Sequence, residues 1–491
     1  MSKFSERCKF HLNERGITLY ECSQKSGIER TTLHRMVTGK RLPTKETLTT
    51  FCKYLRLGNN ARDELSELYY EEKIGTAKYQ NRKFIQMLLE YMANTELDST
   101  LNEPILFNPS YSFDLPAGEG HFNFPVQTTT VFQTQTMIRQ LLAYTFTQGK
   151  RQNIYTNLPH TFEQFFTDIR TLFFTQKKDL ITIYHLFVFL SSPERSVHVN
   201  HNLEILFQIL PLALSSYKDY QPYYSYSNFV INDMDFVPWN YFLVTDHYAM
   251  AISADMTTAI IHHDPQIIHS YHNRAEQIKE RMHPLLNPTS VFNQVCDYYH
   301  YFNNALGTPI YTMEYTPCLS FLFSENEIGH LLNTLPKELA EQTSEDIMNN
   351  IFNTLISAAH KDTIHIFSRQ GLEYFMRTGK LPGQGAYYLP AFPVKDRKKA
   401  LNNLLKNVKQ TEQAFICLDS SFAAPQNIYI EVYENDAILF LYFFPNSDMH
   451  FCYIQESSLY DAFYDFMSSI NEAGLALSNQ ELMAIINSYL N

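Results

Sequence analysis

Across the first hundred residues, apolar side chains recur every three or four positions, the period of helices with one buried face. Phe4, Phe10 and Leu12 predict a first amphipathic helix. Thr18 is placed to cap a second helix, with Glu21 three residues on to complete a capping box. Gly27 stands where that helix must turn sharply, and a third is predicted from about Glu29 to Val37, with Leu33 and Met36 facing inward. Gly39 stops it, Lys40 and Arg41 follow, and Pro43-Thr44 opens a helix whose Leu48, Phe51, Cys52 and Leu55 complete a small core. Helices over Ala61–Lys73 and Tyr79–Ala93 read as a connector or a dimer seam.

Beyond about residue 100 the pattern changes. Pro104–Pro125 is rich in Pro, Gly, Asn and aromatics, which predicts turns and short strands. Helical spacing returns over Thr128–Gly149, Leu158–Thr175 and Leu203–Leu214. Ile181–Leu190 is almost continuously apolar, and periodicity leaves a buried strand and a core helix equally open. Phe242–Ile252 and Thr257–Ile261 predict a strand pair, followed by a helix over Ile267–Arg281 and a break at Pro284 and Pro288. Further helices are expected around Ser290–Ala305, Glu325–Leu332 and Asp396–Lys406. Ile428–Tyr433, Ala437–Phe444 and His450–Ile454 predict a three-stranded meander, and Ser458–Ile470 and Ser478–Leu490 two closing helices. No internal repeat stands out. The expected organisation is an all-α domain over 1–60, a helical connector over 61–100, and two α+β domains over 101–288 and 289–491.

Two helices joined by a tight turn, with a polar outer face on the second, are the geometry of a helix-turn-helix. Glu29, Arg30, Thr31, Thr32 and Arg35 look away from the Leu33/Met36 stripe. On Arg15-Gly16-Ile17-Thr18, Ser26-Gly27-Ile28, Arg30-Thr31-Thr32-Leu33, Gly39-Lys40-Arg41 and Pro43, roughly residues 1–60 resemble the lambda-repressor-like (Cro-type, or xenobiotic-response-element-type) DNA-binding domain. The resemblance implies base contacts from Glu29, Arg30, Thr31 and Arg35 and phosphate contacts near Thr18, Lys40 and Arg41. It also implies dimers on paired operator half-sites in double-stranded DNA. Two positions depart from the family: Cys22-Ser23 replaces its usual Leu-Ala, and Tyr20 is bulky for its place.

Charge sharpens this picture. Residues 1–60 hold 12 Lys/Arg against 5 Asp/Glu, a net of +7, while residues 61–491 hold 27 against 46, a net of −19. A basic head on an acidic body suits phosphate binding by the head alone. The seven cysteines never fall in a CxxC spacing, which argues for reduced thiols in a cytoplasmic protein and against a zinc finger. Apolar runs such as Ile181–Leu190 are too short to span a bilayer.

Candidate chemistry in the body is thin. His247, His262, His263, His269, His272, His283 and His300, with Asp264, invite a metal reading but match no HExxH spacing. There is no GxSxG elbow, and neither Gly118-Glu119-Gly120 nor Gly379–Gly385 has the spacing of a phosphate loop. Carboxylate pairs such as Asp233/Asp235 and Glu325/Glu327 read as strand-face or capping residues. No catalytic residue, metal ligand or cofactor is therefore expected. The densest unusual composition is Tyr217, Tyr220, Tyr223, Tyr224 and Tyr226, a candidate border for a small-molecule or peptide effector pocket, or else a packed seam. The expected protein is a transcriptional regulator whose body senses an effector or holds a homodimer together. The alternatives are a metal-dependent enzyme with an autoregulatory DNA-binding head, and an antitoxin-like or phage-defence interaction protein.

Overall fold

The computed structural model describes residues 2–94, 126–175, 180–193, 198–215, 219–228, 239–290, 307–318, 322, 363–381, 391–411, 414–422, 424–443 and 449–490. The expected turns over 104–125, the helix expected around Ser290–Ala305 beyond Ser290 itself, the helix over 325–332, and residues Tyr217 and His300 lie outside them, as do Asp233 and Asp235. The chain forms two compact units, Met1–Phe84 and Ile85–Asn491. No helix among the described residues is long and apolar enough to cross a membrane.

The first unit is all helical: α1 (Lys3–Glu14), α2 (Leu19–Ser26), α3 (Arg30–Val37), α4 (Lys45–Tyr54) and α5 (Asn59–Ile74), with α6 (Thr76–Asn94) leading out of it. Phe4, Cys8, Leu12, Cys22, Leu33, Met36, Phe51 and Cys52 make one core. That core continues past residue 60, because Leu65 and Tyr69 of α5 are buried in it and Tyr69 meets Phe4 edge-on at 5.8 Å. Phe10, expected inside, is 47% exposed; it lies under the Arg7 guanidinium, 4.6 Å from its ring centre.

The second unit is α+β and is built on two mixed sheets. The first half runs α7 (Val131–Thr147), β1 (Gln152–Thr156), α8 (Glu163–Thr175), β2 (Ile181–Leu190), α9 (His201–Ser215), β3 (Tyr220–Ser227), β4 (Tyr241–Val244), β5 (Ala249–Ile252), β6 (Ala259–His262), α10 (Pro265–Lys279) and β7 (His283–Pro284). Ile181–Leu190 is thus a strand, flanked by parallel partners and covered on both faces, which is why its apolar run is unbroken. His185 stacks on Phe166 of α8, while Tyr155 on β1 and Tyr184 pack with Ile268 and Ala275 of α10 on the opposite face. Three findings differ from the sequence pattern. Phe242–Ile252 is a hairpin, so a three-stranded meander replaces the expected strand pair. The segment before α8 is loop rather than helix up to Glu163. The tyrosine-rich stretch is strand β3.

The second half contains β8 (Asn287–Ser290), β9 (Pro309–Glu314), β10 (Ile364–Ser368), α11 (Arg369–Thr378), α12 (Val394–Gln410), β11 (Phe415–Leu418), β12 (Ile428–Tyr433), β13 (Ile438–Phe443), β14 (Met449–Ile454), α13 (Ser457–Ala473) and α14 (Asn479–Leu490). Its meander, β12–β13–β14, is the expected one. Its order, β11-β10-β9-β12-β13-β14, repeats the first sheet's β3-β2-β1-β4-β5-β6 strand for strand. In both, the first three strands are mutually parallel and the last three form an antiparallel meander. A helix then starts three residues after each meander, α10 at Pro265 and α13 at Ser457.

The two halves thus repeat one topology, and short matching segments fall on corresponding strands. Ile154-Tyr155-Thr156 on β1 corresponds to Ile310-Tyr311-Thr312 on β9, and His185-Leu186-Phe187 on β2 to His365-Ile366-Phe367 on β10. Thr156 stands beside His185 in the parallel register, and Thr312 beside His365. The second sheet's C-terminal loop is closed tightly: Ser368 Oγ donates to the Tyr315 carbonyl at 2.8 Å, and a Cβ on Gly371 would fall 1.7 Å from that same oxygen. Only glycine permits so close an approach.

Candidate nucleic-acid interface

The head's outer surface is set by how its helices are stopped and capped. Thr18 Oγ1 accepts the Glu21 backbone N–H at 3.2 Å, and the Glu21 carboxylate accepts the Thr18 N–H at 3.3 Å, so the capping box closes α2 as the sequence implies. Gly27 ends α2 at φ 76°, a left-handed conformation that aims α3 across it. Leu33, Met36 and Val37 turn inward from α3, leaving Arg30, Thr31, His34 and Arg35 exposed and Thr32 half-buried. Beyond Gly39 the Lys40 N–H donates to the Arg35 carbonyl at 2.9 Å, which folds the basic turn back over the end of α3. Glu29, the residue before α3, makes no side-chain cap bond, so its carboxylate is not held by the helix.

Cys22, one of the departures from the family pattern, is fully buried; burial alone raises its thiol pKa, so it packs as a small protonated apolar group. Tyr20, the other, is 59% exposed, with the Arg30 guanidinium 6.0 Å from its ring centre. Its bulk points outward beside a predicted base-reading residue, a placement that sequence reasoning treated only as a misfit.

Two arginines of the head are tied to partners within it. Arg7 pairs with Glu64 at 2.7 Å, and Arg15 with Glu14 at 2.8 Å and the Leu55 carbonyl at 2.9 Å. Among the described residues, no side-chain hydrogen bond or ion pair engages Arg35, Lys40 or Arg41, all of them exposed. An unneutralised cationic rim beside an exposed polar helix is what a polyanion with a readable groove requires.

In the body, Tyr220, Tyr224 and Tyr226 of β3 share one face of the sheet and Tyr223 lies on the other. Tyr220 is fully buried and its hydroxyl lies 2.8 Å from His185 Nδ1. Tyr224 packs against Phe189 at 4.9 Å, Tyr223 lies 6.3 Å from Tyr184, and the Tyr226 hydroxyl donates to Glu456 at 2.6 Å, tying β3 to the start of α13. The histidines singled out from 247 onward do not converge among the described residues. His272 instead meets the Thr245 carbonyl at 3.0 Å, and His269 meets Asn273 at 2.9 Å. The group that does converge is His160, His201 and Glu204, which the sequence reading passed over. Its legible signal was the three-residue spacing His198, His201, Glu204.

Two short helices crossing at a glycine turn, braced by a shared core and presenting an unpaired basic face, define a helix-turn-helix DNA-binding domain. Residues 11–58 match the family of Cro/C1-type helix-turn-helix DNA-binding domains. No curated protein matches the chain. The head makes the protein a DNA-binding regulator.

Proposed function

We propose that the protein is a sequence-specific transcriptional regulator that binds operator DNA as a homodimer in the cytoplasm. α3 enters the major groove, where Arg30 and Arg35 reach guanine edges, Glu29 accepts from cytosine, and Thr31 and Thr32 make shorter contacts. Lys40, Arg41 and the start of α2 at Thr18 hold phosphates on either side. The observation that carries this reading is the exposed cluster of Arg35, Lys40 and Arg41 on and just after α3, whose side chains no hydrogen bond or ion pair engages among the described residues. One head offers few phosphate contacts, so useful affinity calls for two heads held together by the remainder of the chain. The test is selection of bound fragments from genomic DNA by the full-length protein, followed by binding to the enriched sequence and to random DNA across a salt series. A shared motif with paired half-sites, bound at least a thousandfold more tightly than random DNA, supports the reading. Equal binding to all fragments removes it.

A further inference from the structure

At the C-terminal ends of β1 and β2 lies a pocket of about 130 Å³, bordered by the loop after β1, by Leu186–Val188 of β2 and by the first turn of α9. Beside it β1 has β2 on one flank and β4 on the other, so the strand order reverses here. Ligands of open α/β sheets sit beyond the strand ends at such a reversal. His160, His201 and Glu204 all line this pocket, and one ligand atom from each lies within 4.8 Å of the others. In the second sheet, which repeats this topology, the corresponding strand ends are closed by Ser368 and Gly371 against the Tyr315 carbonyl.

The three side chains are held in place from behind. Asn157 anchors the His160 loop to β4, donating to the Asn240 carbonyl at 2.9 Å and accepting from the Phe242 N–H at 2.7 Å. The Leu158 carbonyl accepts from His185 Nε2 at 2.7 Å. Asn202 pins α9 to the end of β2 through both the N–H and the carbonyl of Leu190, at 2.9 and 3.0 Å. His201 Nε2 lies 2.9 Å from the Val188 carbonyl, which can only accept, so Nε2 carries the proton and Nδ1 keeps its lone pair. A ring that donates one N–H to a backbone carbonyl is the usual state of a metal-bound histidine. Three residues on, Glu204 shares His201's helix face, and its carboxylate is 3.1 Å from His160 Nε2, close to the separation of two ligands on one zinc ion.

We propose that His160, His201 and Glu204 bind a divalent transition-metal ion of the zinc type. Two imidazoles and one carboxylate are a borderline donor set that suits Zn²⁺ and leaves a fourth position open to the pocket for water or an anionic ligand oxygen. A His160–Glu204 ion pair alone would need neither a third ligand nor the supporting hydrogen bonds of Asn157 and Asn202.

The test uses the full-length protein, stripped with a chelator, dialysed free of it and titrated with Zn²⁺ against a chromogenic competitor. One tight equivalent is expected, with Co²⁺ giving the visible bands of a tetrahedral N/O site. His160→Ala and Glu204→Gln should each weaken Zn²⁺ at least tenfold. His201→Ala also removes a buried hydrogen bond, so Glu204→Gln, on a side chain 43% exposed, is the deciding variant, with its melting curve confirming the fold. A His262→Ala/His263→Ala double variant should bind as the parent does. Absence of a stoichiometric equivalent, or one unchanged by Glu204→Gln and His160→Ala, overturns the proposal.

Discussion

At the scale of single residues, the exposed arginine and lysine around α3 are expected to do different work. Arg35 stands on the helix and Lys40 in the turn after it, and among the described residues no hydrogen bond or ion pair engages either side chain. Arg35→Ala should cost about 1–3 kcal/mol on the selected operator and relax preference at one base pair. Lys40→Ala should weaken operator and random DNA alike and flatten the salt dependence by roughly one unit of slope. Anisotropy titrations on both DNAs at several salt concentrations separate the two; equal losses for Arg35→Ala on both would deny it a base-reading role. In the body, His185 is wholly buried, and burial lowers its pKa to about 3. The unfolded chain therefore takes up a proton below about pH 6.5 that the folded chain refuses. Stability should fall as pH drops from that value toward 3, by up to about 1.4 kcal/mol per pH unit from this group. Urea melts of the parent and of His185→Gln from pH 7 to 5 check this: the variant's slope should be shallower.

Among elements, α5 belongs to the head's core through Leu65, Tyr69 and the Arg7–Glu64 pair. A fragment ending at residue 60 leaves Phe4 and its neighbours uncovered, and should lose about 3–5 kcal/mol relative to one ending at residue 75. Thermal melts followed by circular dichroism measure the difference; matching midpoints would show that α5 contributes nothing. The head was legible because its signals are local. Thr18 with Glu21, Gly27 after α2 and the Leu33/Met36 spacing each specify a boundary or a face within a few residues. The first sheet was harder to read. β1 is five residues between two helices and mostly buried, so it carries no alternation of period two. β3 was not read as a strand because tyrosine serves both a buried and a half-exposed face, and no polar-apolar contrast marks the alternation. The His160 group escaped for a different reason: its members come from two elements, and only the fold brings the loop after β1 to the first turn of α9.

For the whole molecule, the proposed dimer predicts that the full chain binds far more tightly than a single head. Sedimentation of the full chain should show a dimer at micromolar concentration, and a head fragment ending at residue 84 should be a monomer with operator affinity at least a hundredfold lower. A monomeric full chain, or a fragment binding as tightly as the whole, would remove the proposed dimer. The repeated topology was hidden in the sequence because packing constrains residue class far more than identity, and the two halves share little more than an Ile-Tyr-Thr on the first strand and a histidine on the second.

The placement of β8 has a consequence in time. Its partner β14 begins at Met449, about 160 residues further along the chain. At translation rates of roughly 5–20 residues per second, β8 emerges some ten to thirty seconds before anything can pair with it. For that interval the nascent chain carries an unprotected strand next to a first sheet whose own strands have all been made. Ribosome-bound chains halted near residue 440 should therefore recruit chaperones and self-associate more than chains halted after residue 491. Pelleting of released chains would measure it, and equal solubility at both lengths would show that the waiting strand is shielded by other means.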